Sequence, residues 1–208
     1  MIDKLLKIVS KIGIWVIIIY ALLWFRADEI YGVYADMVRN TMLIYFVAIS
    51  LFSPITFPML MSMGFQDIAG FVFGFILTAP VMLVLGNAGV TGLIVGQVEA
   101  SVNWGLIIGF GFLHSFIKAF SEELIFRGAI SKIFGDVVSS ILFGAFHYGI
   151  TGVSIIGAGI LMALGFLWAK LRDIFRGMGG TGLMASTGSH FAYNLGVMGI
   201  LPLILGGL

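Results

Sequence analysis

Charge is scarce in this chain. Lys, Arg, Asp and Glu make up 10% of its 208 residues, and the stretches between them are continuously apolar. A soluble domain carries about 25% charged residues. So few polar side chains cannot cover a soluble surface of this size, so the chain is expected to be an integral membrane protein. About 20 apolar residues make one helical span. The length therefore allows six to eight spans with short loops, and no separate soluble domain. A β-barrel is not expected, because the apolar runs are continuous rather than alternating. A net charge of +1 gives no case for nucleic-acid binding. With no cysteine, disulfides, thiolate metal sites, a Cys nucleophile and lipidation of the chain on Cys are all excluded.

The fold class that follows is all-α: a polytopic transmembrane helix bundle of about seven spans, forming one integral membrane domain over residues 1–208. The first run, about Ile8 to Phe25, resembles a signal peptide. Phe25-Arg26-Ala27 does not supply a small-x-small cleavage site, so it is read as a span. The second covers about Thr41 to Met63, and Pro54 and Pro58 within it predict a kink or break. The third covers about Ile68 to Leu85. Asn87 to Asn103 is Gly-rich and more polar, which suggests a loop or half-inserted segment. Four further spans are expected at about Trp104–Ile130, Val137–Ile150, Val153–Ala169 and Leu183–Leu205, so the stretch 104–205 carries all the polar motifs described below.

Cations set the orientation. With the N-terminus in the cytoplasm, that side holds Lys4, Lys7, Lys11, Lys132, Lys170, Arg172 and Arg176, against Arg26 and Arg39 outside. This predicts an N-in, C-out topology. The pairs Gly70/Gly74, Gly92/Gly96 and Gly105/Gly109 have the spacing that lets helices approach closely in lipid, read here as packing inside one bundle.

A charged group at the bilayer centre costs at least about 2.5–3.5 kcal/mol and needs a reason to be there. Here the polar set is His114, Lys118, Glu122, Glu123, Arg127, His147, His190 and Asn194. Counted from the turn Lys132–Asp136, Glu122 lies about 15 Å deep and His147 about 16 Å deep at 1.5 Å per residue. Counted from Thr181, His190 lies about 13 Å deep. Three ionisable groups from three helices thus reach a similar level. Glu123 and Arg127 are i,i+4 and can pair, which turns Glu122 to another face. His190 and Asn194 share a face by the same spacing. Phe143 sits one turn before His147 and can pack beside it.

One carboxylate, two imidazoles and one amide around a buried cavity suggest hydrolysis. Glu122, partly desolvated, suits a general base that holds a water with His147. His190 and Asn194 can donate to a developing oxyanion.

Glu122-Glu123-Leu-Ile-Phe-Arg127 reads as EExxxR, Phe143-Gly-Ala-Phe-His147 as FxxxH, and His190-Phe-Ala-Tyr-Asn194 as HxxxN. This ordered set, from Ser121 to about Leu195, resembles the CPBP family of CAAX proteases and bacteriocin-processing enzymes (also called ABI), which includes Ras-converting-enzyme-type prenyl-protein peptidases. The chain is short for that family, and seven spans rather than eight departs from its pattern. The resemblance implies an intramembrane endopeptidase opening toward the cytoplasm, acting on a membrane-associated CAAX-type or leader-type substrate. It assigns Glu122 and His147 to water activation and His190 and Asn194 to the oxyanion. Glu123 and Arg127 match supporting positions. The family is often labelled metalloprotease, yet the glutamate mechanism requires no metal or other cofactor. Oligomeric state is not indicated.

Other readings stand beside this one. The polar set could be a buried network that locks helix packing. His114 and Lys118 lie on the stripe of Glu122, where they tune it, line an entry path, or simply pack and snorkel. Ser115 and Lys118 form an i,i+3 pair that arises easily by chance. Ser189 beside His190 does not make a dyad, since adjacent helical residues diverge. The usual helical zinc signature HExxH is missing. Glu122, His147 and His190 are nonetheless acceptable zinc ligand types. At the level of whole-protein function, the alternatives are a non-catalytic immunity or scaffold protein of the same fold, and a transporter with broken helices at Pro54, Pro58 and Asn87–Asn103.

Overall fold

The computed structural model describes residues 24–25, 27–28, 35–87, 112–151 and 153–197. The first span up to residue 23, the Asn87–Asn103 segment beyond Asn87, the start of the Trp104–Ile130 span, Gly92/Gly96, Gly105/Gly109 and the end of the last span lie outside the described residues. So do Lys4, Lys7, Lys11 and Arg26. Every element among the described residues is helical. In chain order they are α1 (Ala35–Leu51), α2 (Ser53–Met61), α3 (Phe65–Asn87), α4 (Phe112–Glu123), a π-helical segment (Leu124–Ile130), α5 (Ser131–Phe134), α6 (Asp136–Thr151), α7 (Ile155–Gly177) and α8 (Leu183–Val197).

Among the described residues, two helices are long and apolar enough to cross a membrane: Phe65–Leu85 and Ile155–Gly177. The pair Val38–Leu51 and Ser53–Met61 makes a third candidate, bent by 84° at the break. The break falls at Phe52, just ahead of Pro54, which occupies the first turn of α2. A proline there forfeits no helical hydrogen bond, because those first N–H groups have no intrahelical partner anyway. The sixth expected span is longer than the sequence suggested. α7 runs on past Ala169 through Lys170, Arg172 and Arg176 to Gly177. Its cations are tolerated because Arg172 Nη2 meets Asp136 Oδ1 at 2.9 Å and Asp173 Oδ1 at 2.7 Å, and Lys170 Nζ meets Asp136 Oδ2 at 3.4 Å. Ser154 caps the other end of α7 by accepting from the Gly157 N–H at 3.0 Å.

Small residues bring α3 and α8 together. A Cβ on Gly74 would stand 2.1 Å from the Ala185 carbonyl oxygen, and one on Gly188 would stand 2.0 Å from that of Phe71. In lipid, where apolar burial gives no advantage over the acyl chains, such backbone contact is a main source of association. The entry to α8 is tied to α3 by buried Asp67, whose Oδ1 accepts from the Thr181 N–H at 3.0 Å and also from its hydroxyl. Outward faces carry Phe46, Leu51, Ile76, Val84 and Leu167, all exposed. Such side chains suit a lipid-facing surface.

The expected helix at Trp104–Ile130 is interrupted within the described part by the π-helical segment. Two carbonyls of this segment also accept from neighbouring helices. Phe126 O accepts from Ser139 Oγ at 2.5 Å, and Arg127 O accepts from Arg172 Nη1 at 2.7 Å. π-turns are rare and recur at functional sites.

Candidate active site

Three helices meet at Glu122. The residue lies in the last turn of α4, one before its final residue Glu123, and is fully buried. His190, from α8, places Nε2 at 3.1 Å from Glu122 Oε2. His147, from α6, places Nε2 at 3.6 Å from Glu122 Oε1. The three groups that sequence depth placed at one level are therefore neighbours in space.

The imidazoles are held from behind. His147 Nδ1 lies 2.9 Å from the Phe143 carbonyl oxygen, one turn earlier on the same helix. That contact turns Nε2 inward, and with Nδ1 donating, Nε2 is left as an acceptor. His190 Nδ1 lies 2.9 Å from Glu123 Oε1. Adjacent glutamates thus address opposite nitrogens of one ring. Glu123 Oε2 also faces Arg127 Nε at 3.5 Å, and both side chains are fully buried. The Arg127 guanidinium lies over the Phe143 ring at 4.3 Å. A buried pair of this kind depends on both partners, because either one alone leaves an uncompensated charge.

Asn194 lies one turn beyond His190 on α8, and its amide donates to the Ser115 carbonyl oxygen at 3.4 Å. It is not directed at Glu122. Lys118 stands one turn before Glu122, with Nζ at 4.0 Å from Oε1. His114 lies a further turn back on α4. Ser189 has its own partners, accepting from the Trp168 indole at 2.9 Å and sharing a hydrogen bond with Thr78 at 2.5 Å.

Two residues outside the motif set belong to this cluster. The Tyr45 hydroxyl, from α1, donates to Glu122 Oε1. Trp168, from α7, stacks on His190 with centroids 4.1 Å apart. Their signal in the sequence is weak. Each is an aromatic with a polar tip inside an apolar run, and such a tip needs a partner when buried.

Glu122, His147 and His190 are the side chains here with zinc-ligand chemistry. In the structure each imidazole faces one oxygen of the carboxylate. Among the described residues no three His, Asp or Glu side chains are arranged to hold a metal ion. The cluster as built can bind and polarise a small polar molecule at the carboxylate. It can also move a proton between Glu122 and its imidazole neighbours.

Buried acid–base groups on an all-helical bundle with apolar outward faces describe a polytopic membrane protein with a candidate hydrolytic centre. Residues 103–196 match the family model described as Rce1-like, type II CAAX prenyl endopeptidase Rce1-like. Through that segment the chain is similar to the Rce1-like CAAX proteases. The matched segment contains Glu122, Glu123, Arg127, Phe143, His147, His190 and Asn194, while Tyr45 precedes it. No curated protein and no solved structure matches the chain.

Proposed function

We propose that this protein is an intramembrane endopeptidase in which Glu122 is the general base. The observation that carries this reading is the buried Glu122 carboxylate, flanked on its two oxygens by imidazoles from two other helices. A water held between Glu122 and His147 loses a proton to Glu122 as its oxygen attacks the scissile carbonyl carbon. His190 and Asn194 donate to the resulting oxyanion. Glu122 then returns the proton to the departing amine. For the oxyanion role, His190 Nε2 turns from Glu122 to the substrate and the Asn194 amide leaves Ser115 O. Hydrogen bonds of this kind commonly form only with substrate bound. Glu123, Arg127 and Phe143 support the site by holding His190 and filling the space behind it.

The substrate class is a membrane-associated peptide of CAAX or leader type, reached from the bilayer. In this reading the N-terminus and the site opening face the cytoplasm. The cation count supports this, as does the clustering of Lys170 and Arg172 against the α5–α6 turn at one end of the bundle. No metal is needed for these steps.

The test is cleavage of a farnesylated peptide ending in a CAAX motif, and of a leader peptide, by the purified full chain in detergent. Wild type and Glu122→Gln are compared with and without chelator. Loss of cleavage in Glu122→Gln and no effect of chelator is the expected result. Chelator-sensitive cleavage replaces the glutamate mechanism with a zinc site at Glu122, His147 and His190. Cleavage by Glu122→Gln at the wild-type rate removes Glu122 from the chemistry. Ion-dependent flux in liposomes, unaffected by Glu122→Gln, would favour a transporter instead.

A further inference from the structure

A hydroxyl buried among apolar groups costs free energy unless it finds a partner. Tyr45 is 3% exposed, and its hydroxyl donates to Glu122 Oε1. Its ring packs on Phe146 with centroids 5.9 Å apart, one residue before His147. A phenylalanine would fill the same space against Phe146. What the hydroxyl adds is its bond to Glu122.

That bond falls on a group with a demanding geometric task. A carboxylate base must present one oxygen to the water in one orientation, and small misplacement is costly in rate. His190 Nε2 comes within 3.1 Å of Oε2 without completing a hydrogen bond, while His147 stands back from Oε1 at 3.6 Å and Lys118 at 4.0 Å. Among these groups the phenol fixes the Oε1 side. Each carboxylate oxygen offers two acceptor positions, so Oε1 can accept from Tyr45 and still receive a water.

We propose that Tyr45 is a positioning residue of the peptidase centre, so that the working site extends beyond the Rce1-like segment to include α1. The inference rests on the reading of Glu122 as the base. Tyr45 touches the base and not the peptide, so its loss lowers kcat and leaves KM in place.

The experiment uses the purified full chain and a farnesylated CAAX peptide. Wild type is compared with Tyr45→Phe, with 4-fluorophenylalanine at position 45 (nearly the size of tyrosine, without the donor), and with 4-aminophenylalanine, which restores a donor. Thermal unfolding is recorded for each. Tyr45→Phe is expected to lower kcat about ten- to a hundredfold, the range for losing a hydrogen bond to a charged group. KM and unfolding temperature stay at wild-type values. The fluoro variant behaves alike, and the amino variant recovers part of the rate. If Tyr45→Phe misfolds, the fluoro variant decides. Wild-type kcat in the donor-less variants, with Glu122→Gln inactive, overturns the role of Tyr45 and spares the function. A change confined to KM does the same. Full activity of Glu122→Gln overturns the function, and the role of Tyr45 with it.

Discussion

Trp168 lies flat on His190, with ring centroids 4.1 Å apart and 16° between the planes. The indole N–H donates to Ser189 Oγ at 2.9 Å, and Ser189 is tied in turn to Thr78 on α3. The stack therefore fixes one face of the imidazole, while Glu123 fixes Nδ1 and Glu122 lies 3.1 Å from Nε2. Trp168→Leu removes both stack and anchor and is expected to lower kcat about three- to tenfold, the worth of an aromatic contact. Trp168→Phe keeps a ring and should fall between. Steady-state kinetics on the peptide decides, and an unchanged kcat in Trp168→Leu would show the stack to be packing only.

The adjacent glutamates should separate rate from stability. Glu122→Gln is expected to cost about 10²–10⁴-fold in kcat, the usual contribution of a general base, with unfolding temperature little changed. Glu123→Gln strands the buried Arg127 guanidinium, at a cost of about 3–5 kcal/mol in stability. Thermal unfolding in detergent beside activity tests the pair. A stable Glu123→Gln protein would mean that Arg127 finds another counter-charge.

Helix contact gives a second stability prediction. Gly74→Ala drives a methyl to within 2.1 Å of the Ala185 carbonyl oxygen, so α3 and α8 must part. Overpacking of this sort costs about 1–3 kcal/mol. Gly159→Ala on α7 meets nothing within 4 Å. It should be neutral or stabilise by up to about 1 kcal/mol, because alanine suits a helix interior better than glycine. Unfolding temperatures should therefore move apart, and equal shifts in the two variants would contradict the packing described.

At the α5–α6 turn, partial burial opposes the charged form of Asp136. The hydrogen bonds from Ser131 and Arg172 outweigh it and hold the carboxyl down at about 2. A carboxyl depressed on folding contributes stability above its unfolded value, near 4, and loses it as pH falls through about 2. The contribution is of order 1–2 kcal/mol. Asp136→Asn should lower the unfolding temperature at neutral pH and flatten its fall between about pH 4 and 2. An undiminished acid slope in the variant would assign that stability elsewhere.

Much of this architecture was legible in the sequence because membrane helices make polar residues conspicuous. Glu122, His147 and His190 stand out against apolar neighbours, and rise per residue was enough to bring them level. Pro54 marked the break before α2 for the same local reason that prolines mark breaks elsewhere. Other features had no such signal. Tyr45 and Trp168 look like ordinary apolar-run aromatics until tertiary packing supplies their partners. The π-helical segment uses residues that form α-helix equally well, and its tertiary partners, Ser139 on Phe126 O and Arg172 on Arg127 O, come from other helices far along the chain. The far end of α7 reads as a charged loop, since only the fold brings Asp136 beside Arg172. The family match over residues 103–196 agrees with the motif resemblance and is silent on α1.

The ion pairs along α4 and the π-helical segment bear on biogenesis. Lys118 faces Glu122 at 4.0 Å and Glu123 faces Arg127 at 3.5 Å, both pairs at i,i+4. Four charges thus enter the bilayer on one continuous stretch with a sum of zero, each beside its own counter-ion before any other helix has arrived. Carried singly, each would cost about 2.5–3.5 kcal/mol at the bilayer centre. The nascent segment can leave the translocon as a self-neutralised unit, and His147 and His190 need reach it only later, when the remaining helices assemble around it.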